Sequence, residues 1–163
     1  MRNQTMAILD FMETISDKTV ILDHAPFRDK DELFRFFAAR FKEDGRILNE
    51  EDFVSALYQR EDTGPTYMGE FIALPHGKSD TVQKNTIGFC RLTEPMLYRS
   101  FDEEGPVKLI FMLGVQGSAQ GKEYLRILAT LSRLLVYEEF ISSLENAGSY
   151  EDVLKVFEEF LTD

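Results

Sequence analysis

The sequence of 163 residues has a single cysteine, Cys90, and no tryptophan. One cysteine cannot close an intrachain disulfide, and it cannot supply the thiolates of a cysteine zinc site. No apolar run approaches the roughly 18 residues of a membrane-spanning helix, and the first residues lack the hydrophobic region of a signal peptide. These absences exclude a disulfide framework, a cysteine zinc site and direct membrane insertion, and we expect a cytoplasmic protein.

Basic residues are also few, since 18 Lys and Arg stand against 29 Asp and Glu, for a net charge of -11. Nucleic acids and anionic membranes are bound through Lys and Arg that displace counterions, so we exclude both as partners. The negative charge favours a partner with a basic face through electrostatic steering. A solvated acidic surface that only keeps the protein soluble accounts for the same charge equally well.

The pattern of apolar residues predicts alternating strands and helices. Hydrophobic residues make up 44% of the chain and no linker or repeat divides it, so we expect a single domain over residues 1–163. The predicted strands are 19–22, 70–75, 85–92 and 107–115, and the predicted helices run to about 43 and over about 50–59, 122–135, 138–147 and 149–161. Residues 93–106 are expected to form an exposed, hairpin-like excursion.

Capping residues mark the starts of three predicted helices. Asp29 or Asp31 can cap the first helix, and Asn49 can cap the second. Ser149, with Asp152 three residues later, resembles a capping box that opens the last helix.

The two central predicted strands are almost continuously apolar, as in strands that are covered on both faces. Helices outnumber strands and interleave with them. We therefore expect an α/β sandwich in which a small mixed β-sheet is flanked by helices on both faces.

His76 is the most informative residue, because the chain has only two histidines. The apolar residues before it are typical of a buried strand, which leads into Pro75, the imidazole and then Gly77, a residue free to turn sharply. This order presents the imidazole at the carboxyl end of a strand, where open α/β sheets commonly place their sites. The other histidine, His24, lies in a loop-like context and is expected at the surface.

Residues 114–123 follow a predicted strand and open a helix, so a phosphate loop has to be considered. A P-loop requires glycine where Gln116 stands and serine or threonine where Glu123 stands, and we therefore expect an ordinary connection. No histidine or cysteine lies near His76 at metal-ligand spacing, and no Gly-x-Ser-x-Gly motif provides a serine nucleophile. A histidine that acts directly as a nucleophile remains, beside the alternative that His76 is the base of a small hydrolase or ligand-binding protein.

A histidine nucleophile that receives phosphate needs one neutral nitrogen, a hydrogen bond at the other nitrogen and a nearby cation. Arg60 and Glu70 flank the loop before His76 and are residue types suited to those tasks. Either charge also fits an ordinary surface position, and Arg60 would complement the C-terminal end of the second predicted helix whatever its function.

Residues 60–77, which begin with Arg60-Glu61 and end with Pro75-His76-Gly77, carry a specific signature. The sequence resembles the enzyme IIA component of the sugar phosphotransferase system, mannitol/fructose class, over about residues 19–161. The stretch from Pro65 to Glu70 is closer to the mannitol branch than to the fructose branch. The resemblance continues in residues 87–92, 107–115 and 125–131.

The resemblance implies a role for each candidate residue. His76 would accept a phosphoryl group from the phosphocarrier protein HPr and pass it to a cysteine of the cognate IIB domain, which serves a IIC membrane component. Arg60 would offset the negative charge of phosphohistidine, and Glu70 would hydrogen-bond or orient the imidazole. No metal or cofactor is implied, because the work is positioning and charge stabilisation.

One position departs from the family pattern. The family commonly has a second histidine before a Leu-x-x-Leu run, and this sequence has Tyr124 there. A phenol can donate a hydrogen bond to a phosphate oxygen, but it carries no positive charge at neutral pH. Three consequences of Tyr124 stay open: the protein transfers the phosphoryl group more slowly, it serves an uncommon sugar or a regulatory partner, or its transfer is normal. The alternative for the whole chain is a regulatory IIA-like protein whose phosphorylation state controls binding to a partner, with no sugar transported.

Overall fold

The computed structural model describes residues 10–117 and 121–161. The chain divides into two compact units, Lys18–Ser118 on the one hand and Met1–Asp17 with Ala119–Asp163 on the other. The single-domain organisation over residues 1–163 stays a prediction.

The Lys18–Ser118 unit carries the candidate site residues Arg60, Glu70 and His76. Its strands and helices are, in chain order, β1 (Val20–His24), α1 (Lys30–Glu43), α2 (Glu50–Glu61), β2 (Tyr67–Gly69), β3 (Ile72–Ala73), β4 (His76–Ser79), β5 (Thr86–Ser100) and β6 (Glu103–Gln116). The six strands of the described residues form one sheet in the order β1-β5-β6-β3-β2, and β4 also pairs with β6.

The sheet is mixed. β1 runs parallel to β5, and both β3 and β4 run parallel to β6. The β5–β6 and β2–β3 pairs are antiparallel. The α/β class and the small mixed sheet expected from the sequence are confirmed.

The central strands β5 and β6 are longer than the sequence predicted. Residues 93–106 do form a hairpin, as an extension of β5 and β6: the register shifts between Arg91 and Met96, and the antiparallel ladder ends with Ser100 opposite Glu103. Met96, Tyr98 and Ser100 are buried while the residues between them are exposed. This alternation is the period of a half-buried strand, and the prolines and acidic residues of the segment obscure it in the sequence.

The two helices of this unit begin where the sequence predicted. The Asp29 carboxylate accepts a hydrogen bond from the Glu32 N–H at 2.9 Å, so Asp29 rather than Asp31 caps α1. The Asn49 side chain accepts one from the Asp52 N–H, also at 2.9 Å, and caps α2.

Glycines in the sheet let both helices lie directly on it. A Cβ added at Gly88 in β5 would stand 2.5 Å from the Phe37 ring of α1. A Cβ added at Gly77 in β4 would stand 3.1 Å from the backbone nitrogen of Leu57 in α2. Helix α2 is therefore held close to the strand that begins with His76.

The other unit contains α3 (Gly121–Leu134), α4 (Glu138–Asn146) and α5 (Tyr150–Leu161). The Phe140 ring contacts the rings of Phe157 and Phe160, with centroid distances of 5.3 and 5.5 Å. Ser149 caps α5 as predicted, because its hydroxyl accepts a hydrogen bond from the Asp152 N–H at 3.1 Å.

Two expectations from the sequence concern the connection after β6 and the absence of a membrane-spanning helix. Residues 118–120, in the connection considered for a P-loop, lie outside the described residues. Among the helices in residues 10–117 and 121–161, none has the length and apolar character needed to cross a membrane.

Candidate active site

His76 lies at a break between two strand segments that pair with the same edge of β6. β3 ends at Ala73, opposite Ile110, and β4 begins at His76, opposite Leu113. Pro75 stands between the segments, and its missing N–H interrupts the ladder. The Pro75 carbonyl nevertheless accepts a hydrogen bond from the Leu113 N–H at 3.0 Å, so the break stays attached to the sheet.

The prediction of a strand over residues 70–75 with His76 at its carboxyl end is wrong. Gly69, Glu70 and Phe71 turn the chain with φ angles of 78°, 51° and 66°, which leaves only a two-residue strand before the break. His76 instead starts the next segment and is only 7% exposed. The imidazole is therefore buried beside the sheet rather than displayed beyond a strand end.

Both ring nitrogens of His76 are engaged. Nδ1 lies 3.1 Å from the Leu74 carbonyl oxygen, and Nε2 lies 3.0 Å from Nε of Arg60. A carbonyl can only accept and a guanidinium can only donate. These two contacts therefore select the tautomer with the proton on Nδ1 and the lone pair on Nε2.

Arg60 reaches the ring from the last turn of α2. Its Nη1 donates to the Gly64 carbonyl at 2.9 Å and to the Thr63 hydroxyl at 3.1 Å. The guanidinium is thus fixed by the loop that follows its own helix, with Nε directed at the imidazole. The structure brings together Arg60 and His76, as the sequence hypothesis requires.

The surroundings keep the imidazole neutral. Burial lowers the pKa of His76 below its ordinary value of 6.5, and the positive charge of Arg60 lowers it further. The hydrogen bond to the Leu74 carbonyl and the negative charge of Glu61 raise the pKa, but they do not cancel the effect of burial. A neutral ring with its lone pair on Nε2 is the nucleophilic form of histidine.

Glu70 is not brought to the ring nitrogens. It is exposed on the turn between β2 and β3, and in the part of the chain that the structure describes it is not among the partners of His76. Its role in orienting the imidazole stays a prediction.

Sequence reasoning missed Glu61, which is only 4% exposed although it directly follows Arg60. The signal was present in the sequence, because Phe53, Leu57 and Glu61 recur at intervals of four on the buried side of α2. A carboxylate on that stripe is an unusual core residue and calls for partners.

The remaining candidates lie elsewhere. The expectation of a surface position for His24 is wrong in part, since the ring is half-buried, stacks on Phe27 at 4.4 Å and contacts the edge of Phe36 at 4.8 Å. Tyr124 is half-buried in the first turn of α3, in the other compact unit. Its contact with a phosphate stays a prediction.

The arrangement has a clear chemical capacity. A neutral imidazole with a directed lone pair can attack an electrophile, and the cation beside it favours an anionic product over the uncharged starting state. The site is thus suited to capture a group that brings negative charge to Nε2.

Comparison with known proteins places this geometry in a family. Residues 13–160 match the family described as "Phosphoenolpyruvate-dependent sugar phosphotransferase system, EIIA 2". The chain is 32% identical over 148 residues to the fructose-specific EIIA component of Haloferax volcanii, covering 91% of this chain and 95% of the relative. It is 25% identical over 158 residues to the 2-O-alpha-mannosyl-D-glycerate-specific EIIABC component of Escherichia coli, and these are 97% of this chain but 24% of that longer relative.

Solved structures agree with the sequence relatives. The nitrogen regulatory protein IIA-Ntr of Neisseria meningitidis is 26% identical, with a TM-score of 0.77 over 90% of this chain and 97% of that chain. The complex of enzyme IIAMtl with phosphorylated enzyme IIBMtl from Escherichia coli contains a chain of the same fold, 24% identical, with a TM-score of 0.70 over 88% of this chain and 96% of that chain.

The family match covers almost the whole described chain, and it includes the strand break, the histidine and the arginine that hold the site together. The chain belongs to the EIIA type 2 family of the phosphoenolpyruvate-dependent sugar phosphotransferase system, the mannitol/fructose class of enzyme IIA.

Proposed function

We propose that this protein is a cytoplasmic phosphocarrier in the uptake of a mannitol/fructose-type sugar. His76 accepts a phosphoryl group from phospho-HPr and passes it to a cysteine of a IIB domain, which serves a IIC membrane component. One observation carries the proposal: Arg60 Nε lies 3.0 Å from His76 Nε2, which sets a fixed cation beside the nitrogen that would receive the phosphoryl group.

The accepting step follows from the tautomer. The Nε2 lone pair attacks the phosphorus of the donor's phosphohistidine in line, and the Nε2–P bond forms as the donor's N–P bond breaks. The electron pair of the broken bond stays with the donor ring. The Nδ1 proton stays on His76, where the Leu74 carbonyl accepts its hydrogen bond. The His76 ring therefore becomes positively charged, which makes it a good leaving group for the next transfer.

Arg60 has to change partner during this step. Once Nε2 is bonded to phosphorus it no longer has a lone pair for the Arg60 N–H, and the same N–H can donate to a phosphoryl oxygen. The bonds from Nη1 to the Gly64 carbonyl and the Thr63 hydroxyl hold the guanidinium in place meanwhile. Charge-assisted hydrogen bonds of this kind are about twice as strong as neutral ones.

The acceptor thiol must come from a partner. The chain's own Cys90 is fully buried, and burial raises the pKa of its thiol to about 12, so it is neither accessible nor a thiolate. A IIB cysteine fits this need, and the E. coli mannitol IIA of similar fold is known in complex with phosphorylated IIB.

The test is labelling with radioactive phosphoenolpyruvate, enzyme I and HPr, followed by a chase with candidate IIB domains. Wild type should be labelled and His76→Ala unlabelled. His24→Ala is the matched control, because it removes the only other histidine, and it should be labelled like wild type. Equal labelling of wild type and His76→Ala would contradict the proposal.

A regulatory role is the second candidate, and the likeness to the nitrogen regulatory protein IIA-Ntr favours it. In that case phosphorylation of His76 controls binding to a partner and no sugar is transported. The chase with IIB domains distinguishes transport from regulation. Transfer of the label from His76 to a IIB cysteine supports transport. Label that stays on His76 with every IIB domain, together with a neighbouring regulator gene in place of IIB or IIC genes, supports regulation.

A further inference from the structure

Glu61 sits at the centre of a buried polar network beside the site. Its side chain is 4% exposed, and a buried carboxylate is tolerated only when its oxygens are occupied. Oε1 accepts from Lys30 Nζ at 3.0 Å and from the Ser100 hydroxyl at 2.9 Å, and Oε2 accepts from the Thr66 hydroxyl at 2.5 Å. Helix α1, helix α2, strand β5 and the loop before β2 are thus tied to one residue.

The network continues to the imidazole through the backbone. The Thr66 hydroxyl donates to Glu61, and the Thr66 N–H donates to the Ser100 hydroxyl. The Thr66 carbonyl in turn accepts a hydrogen bond from the Leu74 N–H at 2.8 Å. The Leu74 carbonyl is the group that holds Nδ1 of His76, at 3.1 Å. Three successive hydrogen bonds therefore connect the Glu61 carboxylate to the ring.

The other side of the ring depends on the same loop. Arg60 precedes Glu61 directly, and its guanidinium is fixed by Gly64 and Thr63, which lie between Glu61 and Thr66. Since Glu61 binds the Thr66 hydroxyl, it closes this short loop at both ends. The Leu74 carbonyl at Nδ1 and the Arg60 guanidinium at Nε2 are each carried by a segment that Glu61 anchors.

We propose that Glu61 is a positioning residue for phosphoryl transfer: through Thr66 and Leu74, and through the loop that fixes Arg60, its carboxylate sets the orientation and tautomer of His76. The kinetic part of this inference rests on the proposed function. The tautomer part does not, because it concerns the free protein.

The test compares two variants that break the network in different ways. Glu61→Gln keeps the shape but removes the charge and one acceptor oxygen. Thr66→Val removes the hydroxyl at almost constant volume and leaves the charge of Glu61 in place. The matched control is Asp44→Asn, which removes a carboxylate from a partly buried ion pair outside the network above, Arg46 Nε to Asp44 Oδ2 at 3.0 Å.

The kinetic readout is phosphorylation of the protein by phospho-HPr. Both network variants should lower kcat by about tenfold, the effect of a small misplacement of reacting groups, while KM for phospho-HPr stays at the wild-type value. Asp44→Asn should leave both parameters unchanged. Wild-type kcat in folded Glu61→Gln and Thr66→Val, or an equal loss in Asp44→Asn, would overturn the proposal.

The spectroscopic readout is the 15N chemical shifts of the His76 imidazole. Wild type should show one tautomer, protonated at Nδ1, and both network variants should show an increased share protonated at Nε2. In Glu61→Gln the His76 ring should also titrate at a lower pH than in wild type, because the negative charge of Glu61 raises the pKa of His76. Unchanged shifts in both variants would contradict the positioning role, even if phospho-HPr proved not to be the donor. If Glu61→Gln does not fold, Thr66→Val decides the question alone.

Discussion

Replacing Arg60 tests the electrostatic basis of the site. In Arg60→Met the side chain keeps much of its apolar stem but loses the guanidinium that stands 3.0 Å from His76 Nε2. A hydrogen bond to a charged group contributes about 1.5–3 kcal/mol. Arg60 also donates to the neutral Nε2 before transfer, so only the difference between the two bonds affects the equilibrium. The bond to a phosphoryl oxygen is about twice as strong, and the difference is therefore about half of that value. With about 1.4 kcal/mol for each factor of ten, the phosphorylated state should be weakened by about threefold to tenfold relative to phospho-HPr.

The assay is the equilibrium distribution of phosphoryl groups between HPr and the protein, measured by 31P NMR. Arg60→Lys retains the positive charge but loses the two hydrogen bonds that Nη1 donates to Thr63 and Gly64, so we expect it to recover only part of the loss. Arg35→Met is the control, because Arg35 pairs with Asp31 and Glu51 and has no contact with the site. A wild-type equilibrium in a folded Arg60→Met protein would contradict the stabilisation of phosphohistidine by Arg60.

The pKa of His76, the contact at Gly88 and the tyrosine at position 124 can each be tested separately. Because the pKa of His76 lies below its ordinary value of 6.5, its phosphorylation rate should fall with acid at a midpoint below pH 6.5; a midpoint above 6.5 would contradict the neutral ring. Gly88→Ala should lower the free energy of unfolding, measured in urea, by about 1–3 kcal/mol through the clash with Phe37, and a loss within error of zero would count against the close contact. Tyr124→His should speed transfer to a IIB domain if tyrosine slows it, and an unchanged rate would show that this position tolerates tyrosine.

The same pKa direction has a consequence for stability. The unfolded ring takes up a proton near pH 6.5, whereas the folded ring takes it up only at a lower pH. The contribution of the neutral, buried His76 is therefore complete above 6.5 and is lost as the pH falls through the folded pKa. A His76→Gln protein should lack this part of the acid destabilisation.

Local signals explain what the sequence could predict. The caps Asp29 and Asn49 and the apolar stripes behind them are short-range features, and both helices start where these residues indicate. The signature around His76 likewise singled out Arg60, sixteen positions away, which the fold brings to the imidazole.

Long-range pairing explains what the sequence could not predict. Pro75 before His76 is a local feature, but the pairing of both β3 and β4 with β6, more than 30 residues later in the chain, is not visible in residues 70–79. The bond between Ser100 and Glu61 spans 39 positions and depends on where β5 runs. The spacing of Glu61 on α2 indicated burial, but its partners become visible only in the folded chain.

The chemical position of the phosphoryl group tests the role of His76 most directly. The 15N-labelled protein would be phosphorylated with phosphoenolpyruvate, enzyme I and HPr, and the 31P–15N couplings measured. We predict a phosphoryl group on Nε2 of His76, with the proton retained on Nδ1 beside the Leu74 carbonyl. A phosphoryl group on Nδ1, on another residue, or on no residue at all would contradict it.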